Sequence, residues 1–227
     1  MASLLRLFCC CLGTCTRKPR KIVSGRRNHL KEKILLKKIF TTFYKLLGWK
    51  YEEKIPTAEF KRSVILAVPH TSNWDAILMF GTFDLLKINP RFTIKMSWMK
   101  FPLSLIIKPL GGLAVDRRPK KEGEERASLV DSTIRLFDEK EELIILITPE
   151  GTRARREQWK TGFYHIAKGA NVPIALSYLD FKNKVSGVGK LVYPSDDMEK
   201  DMREIMEFYK DANAKYPENF SVDLRYV

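Results

Sequence analysis

The chain has 227 residues, of which 44% are hydrophobic and 30% are charged, and this composition argues against wholesale disorder. A chain of this length can form one substantial domain with its own core or two small ones. Its formal net charge of +14 predicts attraction to an anionic partner, which could be nucleic acid, an acidic lipid surface or a phosphorylated substrate.

The basic residues are concentrated near the start of the chain, together with all the cysteines. No acidic residue occurs before Glu32, and the run RKPRK spans residues 17–21. Because no cysteine follows this region, the rest of the fold needs no oxidising compartment. Cysteines beside basic residues are typical of S-acylation sites, with a poorly ordered tail as the alternative. We predict that residues 1–28 form a cationic anchor, S-acylated at Cys9, Cys10, Cys11 or Cys15.

Residues 29–49 have the spacing of an amphipathic helix. Apolar residues recur every three or four positions, and lysines occupy most of the positions between them. Such a helix can lie among lipid head groups or pack its apolar face on the protein core, and the sequence leaves both possibilities open. Gly48 is expected to end the helix. We predict that residues 29–60 form an amphipathic helical segment on a membrane surface, at the cytosolic face. They are not expected to cross the membrane, because no stretch reaches the ~18 apolar residues needed to do so.

From residue 61 to residue 227, segments with the patterns of strands and helices alternate. This alternation predicts a single α/β domain with a largely parallel or mixed sheet flanked by helices. The predicted strands are 63–68, 91–96, 113–116, 142–148, 172–179 and 185–192, the last at an edge of the sheet. The predicted helices are 74–86, 120–138, 158–169 and 196–211, with a short helix or hairpin at 102–110.

Of the three histidines in the chain, only His70 has an aspartate, Asp75, five positions later. Both belong to the sequence HTSNWD, which follows an apolar strand and begins a helix. Ligands of open α/β sheets bind at the carboxyl ends of the strands. An aspartate there can fix the tautomer of the imidazole and stabilise its protonated form. By itself the pattern is weak, because a capping aspartate near a histidine is common.

A second group of polar residues, in the sequence PEGTR, follows the predicted strand 142–148. Gly151 permits backbone angles that other residues resist, and Thr152 can donate a hydroxyl. Arg153 offers forked donors that suit a phosphate group. Anion binding where a strand leads into a helix is a recurrent arrangement. A solvated basic turn is the alternative interpretation.

A third group, in the sequence GGLAVDRR, places two arginines after the predicted strand 113–116. If the strands that begin near residues 63, 113 and 142 are parallel, their carboxyl ends meet at one edge of the sheet. A base and several cations would then share a cleft, which suits removal of a proton from a hydroxyl on a phosphate-bearing molecule. The members of this cleft would be His70, Asp75, Arg117, Arg118, Glu150 and Arg153.

In their order and spacing these motifs resemble those of the glycerolipid acyltransferases, the 1-acylglycerol-3-phosphate acyltransferases and their relatives. The resemblance covers residues 63–178 and rests on HTSNWD, GGLAVDRR, PEGTR and the VPI at residues 172–174. It implies that His70 is the general base and that Asp75 orients it. The acceptor phosphate site that it implies consists of Glu150, Gly151, Thr152 and Arg153, assisted by Arg117 and Arg118, with Lys95 where the family often has a lysine.

The activity that the resemblance implies is acyl transfer from acyl-CoA or acyl-carrier protein to the free hydroxyl of lysophosphatidic acid or a related lysophospholipid, in phospholipid biosynthesis. No metal or organic cofactor is implied, and the expected partners are a membrane lipid surface and the two substrates. A noncatalytic binder of anionic lipid is the alternative, but it gives His70 and Asp75 no task. Nucleic acid is not an expected partner, because the chain lacks the motifs of that class of protein.

Overall fold

The computed structural model describes residues 23–115 and 128–227. The four cysteines, and with them the predicted S-acylation sites, lie outside these residues. The helices are α1 (Val23–Leu46), α2 (Asn73–Leu85), α3 (Ser104–Leu110), α4 (Leu129–Asp138), α5 (Gly162–Gly169) and α6 (Met198–Tyr209). The strands are β1 (Lys50–Glu53), β2 (Arg62–Ala67), β3 (Arg91–Lys95), β4 (Gly112–Val115), β5 (Leu143–Ile147), β6 (Ile174–Asp180) and β7 (Val185–Val192).

The strands form one mixed sheet of seven strands in the order β1-β7-β6-β2-β5-β3-β4. Strands β2, β3, β4, β5 and β6 all point the same way, through parallel pairing of β2 with β5 and β6 and of β3 with β4 and β5. Strand β7 is antiparallel to β6, and β1 is parallel to β7. The predicted single α/β domain with a mixed sheet flanked by helices is therefore confirmed.

The prediction that residues 185–192 form an edge strand is wrong, because β1 pairs with them along that side. Strand β1 has the sequence KYEE, and all four of its residues are exposed. It therefore carries no apolar pattern that sequence analysis could detect, and its charges are typical of an edge strand. Residues 44–60 also contribute Tyr44, Trp49 and Phe60 to the buried core.

The two faces of the sheet bury separate cores, and β2 shows how one strand serves both. Val64 and Leu66 point into a core formed with α4, α5 and α6, while Ile65 and Ala67 point into a core formed with α1 and α2. Strand β5, with the sequence LIILI, alternates in the same way. Parallel strands covered on both faces have such nearly continuous apolar sequences, which is why both strands were predictable.

Helix α1 ends in a Schellman turn, in which Trp49 N donates to Tyr44 O and Gly48 N to Lys45 O. Gly48 has a φ of 76°, as the prediction that it ends the helix requires. The helix packs closely on α2, where a Cβ atom on Gly81 would lie 2.9 Å from Tyr44 Cβ. Beneath this contact Tyr44 Oη lies 2.7 Å from Ser186 Oγ, so a buried hydrogen bond joins α1 to β7.

Helix α1 also has a second apolar face, which is exposed. Leu35, Ile39 and Leu46 are 61%, 52% and 78% exposed. At about 100° per residue, this face points roughly 160° away from Tyr44. Helix α3 packs beside α1, and the exposed Phe101 precedes it. Within the described residues, none of the helices combines the length and the apolar character that crossing a bilayer demands.

The close approach of α1 to α2 predicts the effect of Gly81→Ala. Adding a methyl group to a packed contact costs about 1–3 kcal/mol. Alanine gains only roughly 1 kcal/mol over glycine inside a helix. We therefore expect Gly81→Ala to lower the free energy of unfolding, measured by urea denaturation with tryptophan fluorescence.

Gly162→Ala is the matched control, because a Cβ atom there would lie 3.9 Å from its nearest neighbour, Val130 Cγ2. Its stability should equal or exceed that of the wild type. A Gly81→Ala protein as stable as this control would contradict the tight packing of α1 on α2.

Candidate active site

The loop after β2 leads directly into α2, and Asp75 holds its shape. Pro69 follows a cis peptide bond, and Ser72 is the N-cap of α2. Asp75 Oδ2 accepts hydrogen bonds from Thr71 N and Ser72 N, each at 2.6 Å, and Asp75 Oδ1 accepts one from Ser72 Oγ at 2.6 Å. The carboxylate thus satisfies amide groups at the start of the helix, as a capping residue does.

His70 and Asp75 lie side by side at the carboxyl end of β2. His70 Nδ1 is 3.8 Å from Asp75 Oδ2, slightly beyond hydrogen-bonding distance, and Nε2 lies on the other side of the ring. Burial lowers the pKa of His70; the Asp75 carboxylate raises it and the nearby Arg153 guanidinium lowers it, with a net decrease. The imidazole is therefore neutral at pH 7, which is the form that can accept a proton.

Glu150 connects the loop after β5 to the loop after β2. Its side chain is buried, and its Oε1 accepts a hydrogen bond from His70 N at 3.1 Å. Its Oε2 is buried with no hydrogen-bond partner among the residues that the structure describes. Burial raises the pKa of Glu150 to about 8; the His70 N–H opposes this shift and the negative charge of Asp75 adds to it. Glu150 is therefore mostly protonated at pH 7.

The rest of the PEGTR loop is more open. Gly151 has a φ of 68°, a left-handed backbone conformation that glycine adopts readily and that this turn requires. Thr152 Oγ1 accepts a hydrogen bond from Ala154 N, and Arg153 is exposed, close enough to His70 to affect its pKa. Lys160 also lies against Gly151, although it belongs to none of the predicted motifs. The loop thus brings two cations to the edge of the sheet that carries His70.

Lys95, another predicted residue, belongs to a strand that ends at the same edge. Lys95 is the last residue of β3, paired in the ladder with Val115 of β4, and both strands are parallel to β2 and β5. The predicted convergence of carboxyl ends is therefore present in the backbone. Arg117 and Arg118 lie outside the described residues.

A cavity of about 610 Å³ has His70, Asp75, Gly151 and Lys160 among its lining residues. Its volume is in the range typical of small-molecule sites, and its lining is mainly apolar. The ladder between β3 and β5 has only two residue pairs, and Thr93 and Ile94, beyond the last pair, line the cavity. The other apolar walls come from α2, α4, β5 and α5, and include Met79, Phe80, Phe83, Leu129, Val130, Ile147, Phe163 and Ile166.

The buried position of Glu150 predicts a pH-dependent contribution to stability. The folded protein holds the Glu150 proton up to about pH 8, whereas the unfolded chain releases it around the ordinary pKa of 4.5. Between these values the folded state binds more protons, so this contribution to the free energy of unfolding falls as pH rises. Urea denaturation from pH 5 to pH 8 should show wild type losing stability relative to Glu150→Gln.

Glu157→Gln is the control, since Glu157 is an exposed glutamate of the same loop. Its stability should follow that of the wild type at every pH. Parallel pH curves for wild type and Glu150→Gln would contradict a buried, protonated Glu150.

Two comparisons with known proteins show the fold and the family of this chain. The sequence profile of the Acyltransferase family matches residues 48–176, more than half of the chain. The 1-acyl-sn-glycerophosphate (LPA) acyltransferase PlsC from Thermotoga maritima has a similar crystal structure, with a TM-score of 0.57 and 16% sequence identity over 83% of this chain and 80% of that chain. No curated protein matches this sequence significantly. The similarity to PlsC shows a shared fold, and the match to the profile shows that this chain belongs to the Acyltransferase family.

Proposed function

We propose that this acyltransferase moves a fatty acyl group from acyl-CoA or acyl-carrier protein to the free hydroxyl of lysophosphatidic acid or a related lysophospholipid, in phospholipid biosynthesis. The observation that carries the proposal is a neutral, partly buried His70 that lies beside Asp75 and lines an apolar cavity, with Arg153 close by. The structurally similar PlsC, which is a 1-acyl-sn-glycerophosphate acyltransferase, supports the choice of acceptor.

His70 is the proposed general base. Its imidazole takes the hydroxyl proton as the acceptor oxygen forms a bond to the thioester carbonyl carbon. When the carbon–sulfur bond breaks, the imidazolium returns the proton to the departing sulfur, so no proton is gained or lost overall. The Asp75 carboxylate, 3.8 Å from Nδ1, stabilises the positive charge on the ring during this exchange.

The apolar cavity is the proposed site for the acyl chain. An alkyl chain placed there would leave water for a lining of aliphatic and aromatic side chains, which is favourable in proportion to its buried area. The thioester carbonyl would then lie at the polar mouth of the cavity, next to His70. This arrangement explains why a histidine base and a largely apolar cavity occur together.

Arg153 is the proposed ligand of the acceptor phosphate, with Lys160 as a second cation and Gly151 and Thr152 shaping the turn. Lys95, Arg117 and Arg118 remain proposed contributors from β3 and from the segment after β4. Glu150 has a different proposed role, because its side chain is buried and its Oε1 accepts a hydrogen bond from His70 N. It positions the loop that carries the base.

Replacing His70 tests the proposed mechanism. Removal of a general base typically costs roughly 100- to 10,000-fold in rate, so His70→Ala should lose activity by that factor on palmitoyl-CoA and lysophosphatidic acid. Because the pKa of His70 is lowered, the midpoint of the acidic fall in wild-type kcat/KM should lie below pH 6.5, the ordinary value for histidine. The rate falls there because the imidazole gains a proton.

His165→Ala is the matched control, because His165 is exposed on α5 and should tolerate replacement without loss of rate. Full activity in His70→Ala would exclude His70 as the base. Vesicle binding by wild type with no turnover of any acyl thioester would instead favour a noncatalytic binder of anionic lipid.

We also propose that the protein works at a membrane surface. The outward face of α1 supplies exposed leucine and isoleucine side chains, and Lys38 and Lys45 flank it. Apolar residues that enter the head-group region, bordered by lysines that attract acidic lipid, are typical of interfacial helices. S-acylation at Cys9, Cys10, Cys11 or Cys15 would add to this attachment.

The outward face of α1 predicts that Leu46→Glu weakens vesicle binding. Leu46 is 78% exposed, so the substitution should leave the fold intact while placing a charge at the lipid boundary. We expect about a tenfold loss of binding to phosphatidylcholine vesicles that contain phosphatidylglycerol, measured by flotation.

Tyr193→Glu is the control, since Tyr193 is 65% exposed and follows β7, which ends at the sheet edge opposite the active site. Its binding should match that of the wild type. Equal loss in both variants would indicate a general charge effect and would contradict docking through α1.

A further inference from the structure

Residues 215–226, which follow α6, contact both loops of the active site. The first contacts are with the loop that carries His70. Tyr216 N donates a hydrogen bond of 3.4 Å to Thr71 Oγ1. Lys215 Nζ lies 4.5 Å from the centre of the Trp74 ring, a distance typical of a cation–π contact.

The second set of contacts is with the loop between β5 and α5. Trp159 Nε1 donates a hydrogen bond of 3.0 Å to Ser221 O, and Trp159 N donates one of 2.9 Å to Asp223 Oδ2. Leu224 N donates one of 2.9 Å to Glu157 O. These bonds matter because residues 148–161 contain no helix or strand of their own to fix their position.

Arg225 joins the same loop to Asp223. Its Nη2 donates to Trp159 O at 2.9 Å and to Asp223 Oδ2 at 2.6 Å, and its Nε donates to Asp223 Oδ1 at 2.9 Å. Burial would raise the pKa of Asp223, but the hydrogen bonds from Arg225 and Trp159 outweigh it and lower the pKa. The ion pair therefore persists at neutral pH and binds the loop by charge-assisted hydrogen bonds.

Residues 215–226 are themselves fixed to the core. Asp223 is fully buried, and its N–H lies 3.1 Å from the sulfur of Met206 in α6. Phe220, Val222 and Tyr226 pack against the core formed with α4, α5 and α6. The segment can therefore fix the position of the two loops relative to the sheet.

We infer that residues 215–226 are a positioning element that holds the Arg153 loop at a fixed distance from His70, so that the acceptor phosphate and the acceptor hydroxyl are bound together. The segment lies outside residues 48–176, which match the family profile. Its effect on substrate binding rests on the proposed function, whereas its effect on the loop does not.

Loosening this segment should affect one substrate more than the other. The acceptor phosphate would meet an arginine whose loop is free to move, while the apolar walls of the acyl cavity belong to helices and strands that have backbone hydrogen bonds of their own. Small displacements of a binding group can reduce rates strongly. A selective loss of acceptor binding is therefore the signature of positioning, since partial unfolding would not change either KM.

The experiment compares Arg225→Ala, Arg225→Lys and the control Arg203→Ala. Arg203 is an exposed arginine of α6 whose side chain pairs with Glu199 of the same helix. The KM values for lysophosphatidic acid and palmitoyl-CoA are measured for each, with Arg153→Ala as the reference for loss of the phosphate ligand. Hydrogen exchange of residues 149–160, followed by mass spectrometry, reports on the loop without any substrate.

We expect Arg225→Ala to raise the KM for lysophosphatidic acid by about tenfold, with little change for palmitoyl-CoA and faster exchange in residues 149–160. Arg225→Lys, which retains the charge, should give a smaller effect of the same kind. If Arg225→Ala does not fold, the KM values and the exchange of Arg225→Lys test the inference instead. Arg203→Ala should match the wild type. Unchanged exchange in the loop, or an equal rise in both KM values, would overturn the inference. An inactive wild type with the expected exchange would overturn only the proposed function.

Discussion

The parallel pairing of β2 with β5 is the constraint on which the site depends. The ladder continues to the pair Leu66–Ile147, after which the segments that follow β2 and β5 leave the sheet at the same edge. His70 and Glu150 lie in the loops that follow, each within four residues of this last pair, so a single hydrogen bond can join the two loops. An antiparallel arrangement would have placed the histidine and the arginine at opposite edges, and no choice of side chains could have reunited them.

The proposed acid/base pair, His70 and Asp75, is part of the local structure at the start of α2. Asp75 uses both carboxylate oxygens to bind groups at the start of α2, and it also faces the imidazole. The capping interpretation and the catalytic interpretation of this residue are therefore compatible. A carboxylate held by several donors cannot rotate freely, so its charge stays in one place beside the ring, as electrostatic preorganisation requires.

Much of the fold was predictable, because buried parallel strands and their flanking helices carry strong apolar patterns. The positions of the motifs HTSNWD and PEGTR in the fold were predictable for the same reason, since each motif follows such a strand. The features that could not be predicted depend on tertiary contacts. Strand β1 is charged and exposed, Lys160 has no local signal, and the contacts of residues 215–226 span more than sixty positions along the chain. The placement of Glu150 beneath His70 likewise needs both loops in space.

The retained proton on Glu150 alters the electrostatic field of the cleft. With that group neutral, Asp75 is left to oppose the positive charges of Arg153 and Lys160, so an approaching anion meets a positive potential. Were Glu150 ionised, its charge would offset one of those cations and weaken the attraction for a phosphorylated ligand. A buried acid can thus favour anionic ligands by remaining uncharged.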